Sequence, residues 1–191
     1  MPILGVIDSG KSGHQGIPII SSSDYYSIAT TTVGSGGASS ITFSSIPSTY
    51  THLQIRAISR STISGSGDGT YVQLNGDTGG NYAYHILIGT GSSVVSVNAT
   101  SYTYMYNGDT PGSTSTAGMF GVFVVDLLDY TNTNKYKTIR TLNGNDQNGS
   151  GSVRFVSGLW QNTAVVSSIT VNSFNGAGFA QYTQFALYGV K

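Results

Sequence analysis

The chain has 191 residues, of which only 8% are charged: eight Lys or Arg against eight acidic residues, every one an Asp, with no Glu and no Cys. A surface this neutral carries no basic stripe for phosphate backbones or anionic lipid, so nucleic acid and membrane are not expected as partners. The lack of cysteine excludes a disulfide framework and any Cys-based metal site.

Solubility is left to Ser, Thr, Asn and Gly, a composition that favours strands and tight turns and resists helix. The length fits a single all-β domain after an N-terminal arm. A thinly charged surface suggests an assembly whose neighbours cover it, with a soluble monomer in a well-solvated polar coat as the second reading.

Residues 1–24 hold two apolar pieces, Ile3, Leu4, Val6 and Ile7, then Ile17, Ile19 and Ile20, joined by a Gly-rich hinge. The pattern predicts an arm that either docks on another surface or lies as an edge strand on its own domain. It has no basic n-region, and Asp8 breaks its first apolar run, so no export signal is read and the chain is expected to fold in the cytoplasm of the cell that makes it. The same arm spells GVIDSGKS from Gly5 to Ser12, the phosphate-loop pattern in which amides cradle phosphates, Lys neutralises them and Ser holds magnesium. That chemistry needs a buried strand before the loop and a helix after it, and the residues from Ser12 to Pro18 cannot sustain a helix. Nucleotide hydrolysis is therefore not expected.

Residues 25–191 are predicted to be the β-domain. Strand patterns occur over 26–33 and 40–46, and residues 52–60 alternate with Leu53, Ile55 and Ala57 on one face and His52, Gln54 and Arg56 on the other. Residues 61–69 read as a Gly-rich loop carrying Asp68, followed by strands at 71–74, 82–88, 94–97 and 102–106. At strand spacing Tyr102, Tyr104 and Tyr106 fall on one face, an aromatic ladder suited to cross-strand packing, to a protein interface or to stacking on sugar rings. The longest apolar run, from Met119 to Leu128, predicts a strand buried on both faces near the middle of one sheet. Strands at 135–142, at 153–160 with the only Trp, Trp160, at 165–174 and at 182–190 complete the series, with a Gly/Asn loop over 143–152.

Asn-Gly occurs five times, at Asn75, Asn107, Asn143, Asn148 and Asn175, each beside a strand candidate. Because both central positions of the favoured hairpin turn need positive φ, these steps are read as hairpin turns. The expected fold is an antiparallel jelly-roll-like β-sandwich of nine or ten strands, with an up-and-down barrel second.

No constellation for catalysis, cofactor or metal stands out. His14, His52 and His85 are isolated, and Asp126 and Asp129, three apart, would point to opposite faces of a strand. Asp77 and Asp109 each follow an Asn-Gly step and could offer oxygens to calcium, but without the acidic spacing of a dedicated loop they read as turn residues.

The stretch YYSIATTTVGSGGASSITFSSIPSTYTHLQIR from Tyr25 to Arg56, the opening MPILGVIDSGKSG, the segment SGLWQNTAVVSSITV and the ending FAQYTQFALYGVK resemble small virion proteins of tailed bacteriophages, cyanophages among them. The resemblance lies in overall texture over most of the chain. It implies a structural protein of the particle, commonly trimeric and similar to the jelly-roll modules used as capsid decoration proteins, head fibres or tail fibres. On that footing the arm from Met1 to Ile20 attaches to the major capsid protein or to tail proteins and helps to stabilise the shell. On a fibre, Tyr102, Tyr104, Tyr106 and Trp160 would instead meet host glycans. A free carbohydrate-binding or hydrolytic domain is the third reading, against which stand the missing signal peptide and the missing paired carboxylates.

Overall fold

The computed structural model describes residues 24–191, and the regular structure in them is β-strand. Antiparallel pairing builds two sheets. The larger runs β1 (Tyr25–Thr32), β12 (Gln184–Val190), β3 (His52–Ser59), β8 (Gly121–Leu128), β9 (Lys137–Asp146), β10 (Gly151–Trp160), β5 (Tyr82–Gly89) and β6 (Val94–Tyr102). The smaller runs β2 (Ser40–Phe43), β11 (Ile169–Ser173), β4 (Gly67–Leu74) and β7 (Met105–Pro111). When the hairpins β5–β6 and β9–β10 are set aside, the other eight strands form two four-stranded sheets in jelly-roll order. The expected sandwich is therefore present, with two inserted hairpins that prolong one sheet beyond β8. Ile3, Leu4, Val6, Ile7, Ile17, Ile19, Ile20 and the phosphate-loop pattern lie outside the described residues.

Period-two alternation places the core. Leu53, Ile55 and Ala57 of β3 point inward as predicted, against Val72 and Leu74 of β4, Ile169 and Val171 of β11, and Phe185 and Leu187 of β12, all buried. Packing there is close: the void among Leu53, Val72, Val125, Leu127 and Ile139 is about 10 Å³, no larger than a water. Towards one end the inward positions turn polar, with Ser59, Asp68, Thr110, Asn143 and Asn145 all buried. Asp68 satisfies its oxygens with the hydroxyls of Ser61 (2.8 Å) and Ser173 (2.7 Å) and the amide of Asn175 (2.8 Å). At the other end fully buried Lys137 gives its ammonium to the carbonyls of Asn132, Lys135 and Thr163, tying three loop positions together.

Three expectations are corrected. The central run does lie in the middle of the large sheet, but it is buried on one face only: Phe123, Val125 and Leu127 point inward while Val122 is 52% exposed. Residues 143–146 and 151–152, read as loop, continue β9 and β10, and residues 67–69 continue β4. Of the five Asn-Gly steps, only Asn148-Gly149 makes a two-residue hairpin turn, with φ of 55° and 107° and a 2.9 Å bond from the Gln147 amide to the Ser150 carbonyl. Asn75-Gly76 has both φ positive but carries the chain between sheets, and Asn175-Gly176 likewise leads from β11 towards the other sheet. Asn107-Gly108 forms a bulge within β7, where Asn143 fills the space a Gly108 side chain would need, and Asn143-Gly144 lies within β9.

The outward face of the large sheet divides in two, because antiparallel partners share a face and so line up across it. One row reads Leu87, Phe155, Leu142 and Val124, and the next Val94, Val153, Val122 and Ile58, with Gly89 and Gly144 as gaps on either side of Val153. All but Val124 of these eight side chains are exposed. The row on the other side is polar: Asp126 accepts from Gln54 (2.7 Å) and Arg140 (2.8 Å), and Gln54 accepts in turn from Arg56 (2.7 Å).

Candidate functional site

The four-stranded sheet is narrower than the eight-stranded one, so the inserted hairpin β5–β6 overhangs it. On β6 the inward-phased Val95 and Val97 are consequently 45% and 44% exposed, since among the described residues no second layer lies beneath them. Where the small sheet ends, aromatic side chains fill the wedge. Tyr102 closes β6, the chain turns at Thr103 and Tyr104, and β7 begins with Met105 on the other sheet. The three tyrosines are thus not a ladder along one strand, as the spacing predicts, but a corner between two layers.

The corner nevertheless brings them together. Tyr102 meets Tyr104 edge-on with ring centroids 5.4 Å apart, and Tyr84 of β5 meets Tyr102 at 5.4 Å and Tyr106 at 6.2 Å. Tyr71 of β4 lies 4.6 Å from Tyr104, and Phe174, just past β11, stands edge-on to both Tyr104 (5.8 Å) and Tyr106 (6.3 Å). Such tilted and edge contacts match the quadrupoles of the rings and fix their orientation. Gly69 makes room for them: a Cβ there would come 2.9 Å from the Tyr106 ring and 3.0 Å from Phe174. Tyr102 and Phe174 remain open to solvent while Tyr84 is buried, so the cluster grades from core to surface.

A charged clamp holds the inner side. Arg154, in the inward phase of β10, pairs with Asp109, donates to the Tyr106 hydroxyl at 3.0 Å and lies over the Tyr106 ring at 5.7 Å; the same hydroxyl donates to Asp109. Burial, together with the Asp109 charge, pushes the Tyr106 phenol up, so it stays a neutral donor. Burial also raises the Asp109 carboxyl, with Tyr106 and Arg154 pulling the other way. Tyr84 is likewise pushed up by burial and by Tyr104 and Tyr102 beside it.

Trp160 is not part of this surface. It is 1% exposed, stacks near Tyr82 and donates its indole N–H to Asp77 at 2.6 Å, so it is unavailable to a ligand. Asp77 also accepts from the Gly79 amide (2.8 Å) and the Asn81 side chain (2.9 Å), the turn role expected of it. Asp109, also read as a turn residue, instead lies within β7, aligned with Gly69, and is the acidic member of the clamp. Asp126 belongs to the polar row, whereas Asp129 lies past the strand end at φ 47° and pairs with Lys135. His52 accepts from the Asp129 amide at 3.0 Å, a half-buried structural role. Among the described residues no three His or Asp side chains converge as a metal site.

No family model, curated protein or solved structure matches this chain. Sequence reasoning missed Tyr71, Tyr84, Phe174 and Arg154 as members of the cluster. One signal was present: Arg154 alternates in phase with Val156 and Trp160, a cation in the inward register that requires a buried acidic partner.

Proposed function

We propose that this chain is a structural protein of a tailed-phage particle, a capsid decoration protein that seats its β-domain across joints between capsid subunits. The observation that carries the reading is the aromatic corner: a rigid cluster, anchored by the Arg154–Asp109 pair and open at Tyr102 and Phe174. Preorganised aromatic side chains that stay partly open, as Tyr102 (39%) and Phe174 (47%) do, are what a docking surface needs, because they lose little conformational entropy on binding and bury apolar area. The sequence resemblance supplies the particle, and the described surface supplies a means of attachment without chemistry. The experiment is quantitative mass spectrometry of purified particles: a simple ratio to the major capsid protein supports decoration, and absence from particles rejects it.

The solvent-facing rings of Tyr102 and Phe174 also favour a second reading, a fibre module that stacks pyranose rings of host glycans. A handful of copies per particle, together with glycan-array binding that Tyr102→Ala abolishes, would select it.

A further inference from the structure

We propose that the outer face of the eight-stranded sheet is a homodimer interface, on which a second copy of the chain lays the same face about a two-fold axis. This surface faces away from the small sheet, so the inference goes beyond the particle reading and does not depend on it.

Area is the first argument. The two apolar rows offer roughly 600–700 Å² per copy, above what a monomer usually leaves bare and close to the ~800 Å² per partner of a standard interface. Relief is the second. Across the second row large and absent side chains alternate, as Val94, Gly89, Val153, Gly144 and Val122. Nothing among the described residues requires the glycine at 144, since a Cβ there would meet only Val122 at 3.6 Å, an ordinary contact, and φ is not positive. Glycine inside a strand without such a need marks a place where another backbone comes close. The ridges of one copy fit the gaps of the other when the face is turned on itself.

Charge is the third argument. An isologous contact sets a surface against itself, so a rim of one sign would repel. Here the bordering row holds the Asp126–Arg140 pair, Arg56 at the end of the first row is engaged by Gln54 and by the Tyr25 and Tyr188 rings, and Asp146 faces outward beyond Gly144, so the rim carries both signs. No described residue covers this face, and a second copy, which brings the same ridges and gaps, is the occupant its relief fits.

The full chain, which has no cysteine of its own, tests this directly. Light scattering at tens of micromolar should give about 40 kDa, twice the 19.9 kDa of one chain. Leu142→Cys should cross-link to its counterpart with a short bis-maleimide, while Tyr136→Cys, exposed on the loop before β9, should not. Val122→Lys with Leu142→Lys, both facing outward, should weaken association by roughly 100-fold or more and leave the circular dichroism spectrum unchanged. A monomeric wild type overturns the proposal, whether its face is free or protected by the arm. A trimer without the Leu142 cross-link overturns it too, as does an assembly that both lysines leave intact.

Discussion

Asp77 shows at single-residue scale how this chain uses its few charges. Burial by itself raises its carboxyl, yet the hydrogen bonds from Trp160, Asn81 and the Gly79 amide outweigh that and hold the group below its usual range. With the folded value below the unfolded one, the stabilisation is complete above about pH 4 and is lost as pH falls through the folded value. Since Trp160 is the only tryptophan, its fluorescence should report this step on acidification, and Asp77→Asn should flatten it. Arg154 makes the complementary case. Arg154→Met leaves Asp109 as a largely buried carboxylate without its cation and should cost about 2–4 kcal/mol in urea denaturation. These roles were only partly legible. Asp77 was read correctly as a turn residue from its Asn-Gly neighbours, whereas its partner lies 83 positions away, a distance no local pattern spans.

At the scale of elements, three Asn-Gly steps that look alike in sequence should respond differently to the same change. Gly144→Ala, within β9, meets only an ordinary contact and should alter stability by less than about 0.5 kcal/mol in solution dilute enough to read the fold alone. Gly149→Ala has open space but φ of 107°, and should cost about 1–2 kcal/mol of backbone strain. Gly108→Ala combines φ of 134° with a Cβ 2.3 Å from the Asn143 side chain, and should cost the most of the three in thermal melts. The contrast explains why the hairpin signal over-predicted: Asn-Gly permits positive φ, and tertiary pairing decides whether the chain uses it. Strand positions with one wet face, such as Leu53 to Ala57, were legible because alternation alone sets them. The apolar run at β8 was misread because an outer face of valines resembles a second buried face. The tyrosine ladder failed at Thr103, where nothing local announces that the chain changes sheets.

For the whole molecule, the all-β sandwich was legible in the turn-punctuated strand patterns, but the twelve strands exceed the nine or ten expected, and nothing in the composition of the two inserted hairpins separates them from the other strands. The topology brings the ends of the fold together: β12 lies between β1 and β3 and supplies Phe185 and Leu187 to the core. A chain ending at Thr183 should therefore fail to fold, read as loss of the strand signal in circular dichroism and of solubility. A different consequence follows from the Asn148-Gly149 turn. Asparagine followed by an unhindered glycine is where succinimide forms most readily, and this step sits at an exposed tip, while Asn107 and Asn143 are buried and the exposed Asn75 and Asn175 have their side chains held, by Val165, Ser167 and Ser168 and by Asp68. In a chain of net charge zero, each such event adds one negative charge. Isoelectric focusing of stored protein should resolve a ladder of acidic species whose first rung maps to Asn148, a chemical clock for the age of the molecule.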